Sequence, residues 1–150
     1  MLVELNLPQH DFKIKKEAGR LYIFDQLRNK YLALTPKEWV RQNFVSYLII
    51  HKGYPRGLMG NEVPLIQNGI KRRCDTLIAD NSGKPIAIVE YKAPSIEIGQ
   101  NTFNQIVRYN SVFRVKYLLV SNGINHYCCR IDYENNSYSF LDDIPEYINL

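Results

Sequence analysis

A chain of 150 residues with 45% hydrophobic side chains can bury one substantial core, and it contains no repeat or low-complexity stretch, so a single domain over 1–150 is expected. Its net charge of +4 and pI near 8.9 favour a polyanionic partner without specifying one. No apolar run approaches a membrane span, the acidic N-terminus is no signal peptide, and three cysteines make neither a disulfide framework nor a zinc spacing, which points to a cytoplasmic protein without membrane contact.

Residues 12–34 alternate apolar and polar side chains and turn at Glu17-Ala18-Gly19 and Arg28-Asn29, predicting an antiparallel β extension over 1–34. Thr35-Pro36-Lys37-Glu38 then reads as a capping box with proline at the first helical position. In such a box the Glu38 side chain bonds back to the Thr35 amide, which accounts for it without any chemistry. Trp39, Val40, Asn43, Phe44, Tyr47 and Leu48 keep helical spacing until Gly53. A strand is expected over 62–66.

Residues 74–80 and 85–93 are apolar runs separated by the turn signal Asn81-Ser82-Gly83-Lys84, the pattern of a β-hairpin. Alternation places Glu90 and Lys92 on one face, and Asp75 on a face with Leu77 and Ala79. A loop of two residues (Ser82-Gly83) or of four (81–84) puts Asp75 directly opposite Glu90. A loop of three slips the register by one and swaps the faces.

Two carboxylates apposed in a partly buried ladder repel by about 4 kcal/mol at ~4 Å and an effective dielectric of ~20. A divalent cation offsets that, since Mg²⁺ takes one or two carboxylates together with water and phosphate oxygens. The competing reading is an Asp75 that ends its strand in solvent beside an ordinary Glu90–Lys92 ion pair. Spacing alone leaves both open.

Farther on, a second helix is expected over 96–113, with Gln105 and Tyr109 four apart on one face. A buried strand over 115–120 is closed by Asn122-Gly123, and a hairpin is expected over 127–141. The fold class is thus α/β (α+β), with α-β-β-β-α-β order in a core over 35–121 and a tail over 122–150. Lys71, Arg72 and Arg73, just before Asp75, and Arg108 in the second helix suit contacts with the phosphates of double-stranded DNA. His10, His51 and His126 fall in no metal spacing.

Asp75, followed after fourteen residues by Glu90-Tyr91-Lys92, resembles the PD-(D/E)XK nuclease signature, and Gln105-Ile-Val-Arg-Tyr109 resembles the QxxxY motif of one of its subgroups. Together with 34–42, Lys71-Arg-Arg-Cys-Asp75, Val89-Glu-Tyr-Lys-Ala-Pro94 and Ser121-Asn-Gly123, these segments are similar to the N-terminal nuclease domain of type I restriction enzyme R subunits. Cys74 stands where that signature has its proline. The resemblance implies a restriction-endonuclease-like core with a mixed central sheet flanked by helices. It also implies a metal-dependent DNA endonuclease of a restriction-modification system, using Mg²⁺ or Mn²⁺.

By the same resemblance Asp75, Glu90 and the Tyr91 carbonyl would hold the metal, and Lys92 would act on water and phosphate. Gln105 and Tyr109 would brace the site, and Glu38 is a second candidate acid, since related nucleases contribute one from the first helix. Methyltransferase, specificity and motor subunits are the implied partners. The family joins its nuclease to an ATP-driven motor, yet these residues hold no GxxxxGK[ST] phosphate loop, so either this is a detached nuclease domain or its motor comes from another polypeptide. A structure-specific or repair nuclease of the same superfamily, or a catalytically silent DNA-binding or docking module, are the alternatives.

Overall fold

The computed structural model describes residues 2–150, and the side chains of Gln67 and of residues 108–111 lie outside that description. Strands β1 (Ile14–Glu17), β2 (Arg20–Asp25) and β3 (Lys30–Ala33) form the expected antiparallel N-terminal sheet. Helix α1 (Pro36–Lys52) starts where Thr35 Oγ1 accepts the Glu38 amide at 3.0 Å and ends at Gly53, whose φ of 72° is the left-handed closure that glycine supplies freely.

A six-stranded sheet follows, in the order β4 (Met59–Gln67), β5 (Ile70–Ala79), β6 (Pro85–Tyr91), β7 (Tyr117–Ser121), β8 (His126–Asp132) and β9 (Ser137–Phe140). Only β6 and β7 run parallel, and helix α2 (Gln100–Phe113) makes the crossover that a parallel pair requires. The α-β-β-β-α-β order is present, with the C-terminal hairpin as its outer edge. Helix α2 begins four residues later than its apolar spacing suggests, because Ile96 N bonds Ala93 O in a turn after Pro94.

Each face of the large sheet carries one helix. Val40, Phe44 and Leu48 of α1 pack with Ile78, Val89, Tyr91 and Leu119, while Phe103 and Ile106 of α2 pack with Leu65, Cys74, Ile88, Leu118 and Val120. β6 and β7, covered on both sides, are accordingly continuous apolar runs. No helix among the described residues is long and apolar enough to cross a membrane.

The β5–β6 hairpin reaches its register by an unexpected route. Asp80 N bonds Lys84 O at 2.8 Å and Gly83 N bonds Asp80 O at 2.9 Å, so the loop is three residues, with Gly83 at φ 83°. Alone that loop would misalign the acids. The ladder pairs Ala79 with Pro85 but Ile78 with Ala87, leaving Ile86 as an extra residue in a β-bulge, and beyond it Thr76 pairs with Val89. Continued by one step, this register sets Asp75 opposite Glu90.

Candidate active site

Tyr91 anchors the hairpin end. Its ring is fully buried, 5.8 Å from the Phe44 ring, and its hydroxyl lies 2.9 Å from Thr76 Oγ1. Because Tyr91 points into the core, alternation turns its neighbours Glu90 and Lys92 the other way. The Tyr91 amide donates not to a backbone carbonyl but to Asp75 Oδ2, at 2.9 Å, so β5 and β6 part here and the carboxylate takes over the ladder bond. Lys92 N bonds Ser121 O on β7, and in a trans peptide the Tyr91 carbonyl therefore points away from β7, toward the Asp75 side.

Asp75 does not share the face of Leu77 in the simple way alternation suggests. Cys74 packs in the α2 cluster, whereas Thr76, two residues on, bonds Tyr91 in the α1 cluster, so the pleat reverses at Asp75. Glu62 on β4 lies between the Asn61–Thr76 and Val63–Cys74 pairs, opposite Asp75, and has φ of 55°. A non-glycine residue in that conformation inside a strand marks a strained, kinked position. The kink turns Asp75 toward the start of α1.

There Asp75 meets two cations. Lys37 Nζ lies 2.9 Å from Asp75 Oδ1, and Arg41 Nη2 lies 3.6 Å from the same oxygen. Arg41 Nη2 also bonds Glu62 Oε1 at 3.1 Å, and its Nη1 lies 3.5 Å from Glu38 Oε1. Burial disfavours the Arg41 charge, but Glu38, Asp75 and Glu62 outweigh it and raise its pKa. One buried guanidinium thus joins acids from α1, β4 and β5.

Glu38 does not close a capping box. Its carboxylate accepts from Arg28 Nη2 at 2.7 Å and Gln42 Nε2 at 3.1 Å, and the Thr35 amide bonds Ala33 O instead. The reason is charge: two nearby guanidiniums outbid a single amide. Glu38 therefore neither caps through its side chain nor touches Asp75, but reaches the site through Arg41. A second polar chain runs beneath, from Asp25 to Asn61 Nδ2, from Thr76 Oγ1 to Asn61 Oδ1, and on to the Tyr91 hydroxyl, tying the N-terminal sheet to the hairpin.

Glu90 carries the electrostatic load. Burial first, and then the charge of Asp75, push its carboxyl up to about 7, against the opposing pull of Lys37 and Lys92. Lys92 Nζ stands 3.8 Å from Glu90 Oε1. Among the described residues no three His, Cys, Asp or Glu side chains converge into a ready cage. Two apposed carboxylates and one carbonyl nevertheless fit a hard cation that keeps most of its waters.

The other expected residues divide. By alternation Lys71 and Arg73 fall in line with Asp75, about 14 and 7 Å along the strand at ~3.4 Å per residue, and both are exposed. Arg72 shares the opposite face with Cys74, on the α2 side, so the three basic residues do not act as one clamp. Gln105 is exposed on α2, and among the described residues no hydrogen bond joins it to Asp75, Glu90 or Lys92. The side chains of Arg108 and Tyr109 lie outside the described residues. Sequence reasoning passed over Lys37, Arg41 and Glu62. Lys37 and Arg41 were signalled by their spacing of four on a helix and by an arginine at an apolar-face position, whereas Glu62 carried no local signal.

The two acids differ in what they hold. Asp75→Asn removes the partner of Lys37 and Arg41, and is expected to lower the metal-free melting temperature at neutral pH. Glu90 is the reverse case. Its carboxyl titrates near 4.5 unfolded and about 7 folded, so metal-free stability is fullest below the first value and falls as pH rises through the second. In EDTA, Glu90→Gln should flatten the loss of melting temperature between about pH 5 and about pH 8. A parent-like slope in this variant would show that Glu90 does not carry the strain.

A family model described as the type I restriction enzyme R protein N terminus matches residues 36–145. A solved fragment assigned to the HsdR subunit of a type I restriction enzyme from Vibrio vulnificus YJ016 has a similar fold, with TM-score 0.54 and 20% identity over 77% of this chain. This chain spans 25% of that one. No curated protein matches.

Proposed function

We propose, from the premise that this chain belongs to the family of type I restriction enzyme R protein N termini, that it is a metal-dependent DNA endonuclease domain of a restriction-modification system. The observation that carries the reading is the apposition of Asp75 and a strained Glu90 at the point where β5 and β6 part. Lys92 stands beside them. Asp75, Glu90 and the Tyr91 carbonyl would hold Mg²⁺ or Mn²⁺. When bound, such an ion polarises a phosphodiester and lowers the pKa of a coordinated water.

The chain's own groups do the remaining work. Lys92 orients the attacking water and steadies charge growing on the phosphate. Tyr91, locked in the core, fixes the spacing between Glu90 and Lys92. Lys71 and Arg73 extend a positive track from the site along β5 that suits successive phosphates of double-stranded DNA. Arg41, itself held by Glu38, keeps Asp75 in place. Methyltransferase, specificity and motor subunits complete the system, and a cytoplasmic setting suits the free, buried Cys74, Cys128 and Cys129.

A second reading has one observation in its favour. Lys37 and Arg41 already neutralise Asp75, as in a catalytically silent DNA-binding module. Incubating supercoiled and linear DNA with the protein and Mn²⁺, beside Glu90→Gln, separates the two. Nicking and linearisation by the parent, lost in Glu90→Gln and in EDTA, is the expected result. DNA binding without cleavage under any divalent ion would favour the silent module.

A further inference from the structure

The Lys37 ammonium sits where a cation is wanted. It lies 2.9 Å from Asp75 Oδ1, the carboxylate that the Tyr91 amide holds at the point where β5 and β6 part. Unlike Arg41, whose side chain is only 3% exposed, the Lys37 side chain is 42% exposed and reaches in from solvent. Its backbone is fixed in the first turn of α1, directly after Pro36, while its four-carbon stem is free to swing.

We propose, resting on the metal-centre reading above, that Lys37 exchanges places with the divalent cation. In the metal-free protein its ammonium occupies Asp75 Oδ1; displaced by the cation, it becomes a ligand of a DNA phosphate oxygen. A divalent ion doubles the Coulomb attraction to Asp75 and prefers carboxylate oxygen, so it displaces an exposed ammonium but not the buried Arg41. The released ammonium, still tethered at the helix start, brings three donors and a full charge to the substrate side of the site. Metal and DNA binding are thereby coupled through one side chain. Lys37 would contact DNA only when the metal is present.

Two measurements on Lys37→Gln test this. Calorimetric titration with Ca²⁺ in the absence of DNA is expected to show affinity about tenfold tighter than the parent, because a competing charge is gone. DNA binding across a salt series should lose about 0.9 from its log–log slope in Ca²⁺, one phosphate contact, and nothing in EDTA. Lys37→Arg, which keeps the charge, should return both values to the parent's. If the parent binds no divalent ion, the metal-centre reading falls and this proposal with it. A parent that binds Ca²⁺ while Lys37→Gln binds it no tighter, or keeps the parental slope in Ca²⁺, overturns the role of Lys37 alone.

Discussion

Replacing Arg41 by methionine is expected to destabilise the metal-free protein by about 3–5 kcal/mol, the cost of leaving buried charges without their partner. Arg41 is 2% exposed and serves Glu38, Asp75 and Glu62 together. Methionine fills much of the same volume, so packing against the Tyr91 ring, 5.8 Å from the guanidinium, is largely kept and the loss reports charge. Denaturant unfolding in EDTA measures it. Saturating Mn²⁺ should recover part of the loss if, as proposed, the ion binds Asp75, though it would not neutralise Glu38. A change below about 1 kcal/mol, the range of an exposed ion pair, would mean that Arg41 is not the keystone of the acids.

Lys92→Ala is expected to lower the DNA cleavage rate by roughly 10²–10³, the scale of losing one preorganised electrostatic donor. Affinity for DNA in Ca²⁺ should change little. Among the described residues the one ion pair of the Lys92 ammonium is with Glu90 Oε1, at 3.8 Å, and its backbone is pinned by the bond of its amide to Ser121 O, so truncation leaves the hairpin end in place. On the proposed reading its work would fall in the transition state. Single-turnover cleavage at saturating protein and Mn²⁺ isolates that step, and a parental rate there would remove Lys92 from the chemistry.

The sequence made the order of elements and the Asp75–Glu90 pairing legible, because alternation, turn residues and helical spacing are local. It misjudged what depends on the third dimension. Turn residues leave loops of two, three or four open, and with the loop of three that forms, the pairing holds only because Ile86 bulges. The capping box is half right: Thr35 caps Glu38, but the Glu38 carboxylate prefers Gln42, one helical turn on, and Arg28, which only folding brings near. Lys71, Arg72 and Arg73 are contiguous in the chain yet divided between the two faces of β5. Glu62 and Arg41 are twenty-one residues apart, and nothing local announces their bond.

The bulge at Ile86 separates the length of the turn from the alignment of the acids. In a hairpin without it, parity rules: one residue gained or lost at the tip exchanges the faces of every residue beyond. Here the tip and Ile86 form a compensating pair. Loss of one turn residue together with Ile86 restores an even loop and still leaves Asp75 across from Glu90. Loss of Ile86 alone likewise leaves Ile78 facing Ala87 and Asp75 in step with Glu90, so the bulge is the one place where this hairpin absorbs a deletion without moving the carboxylates.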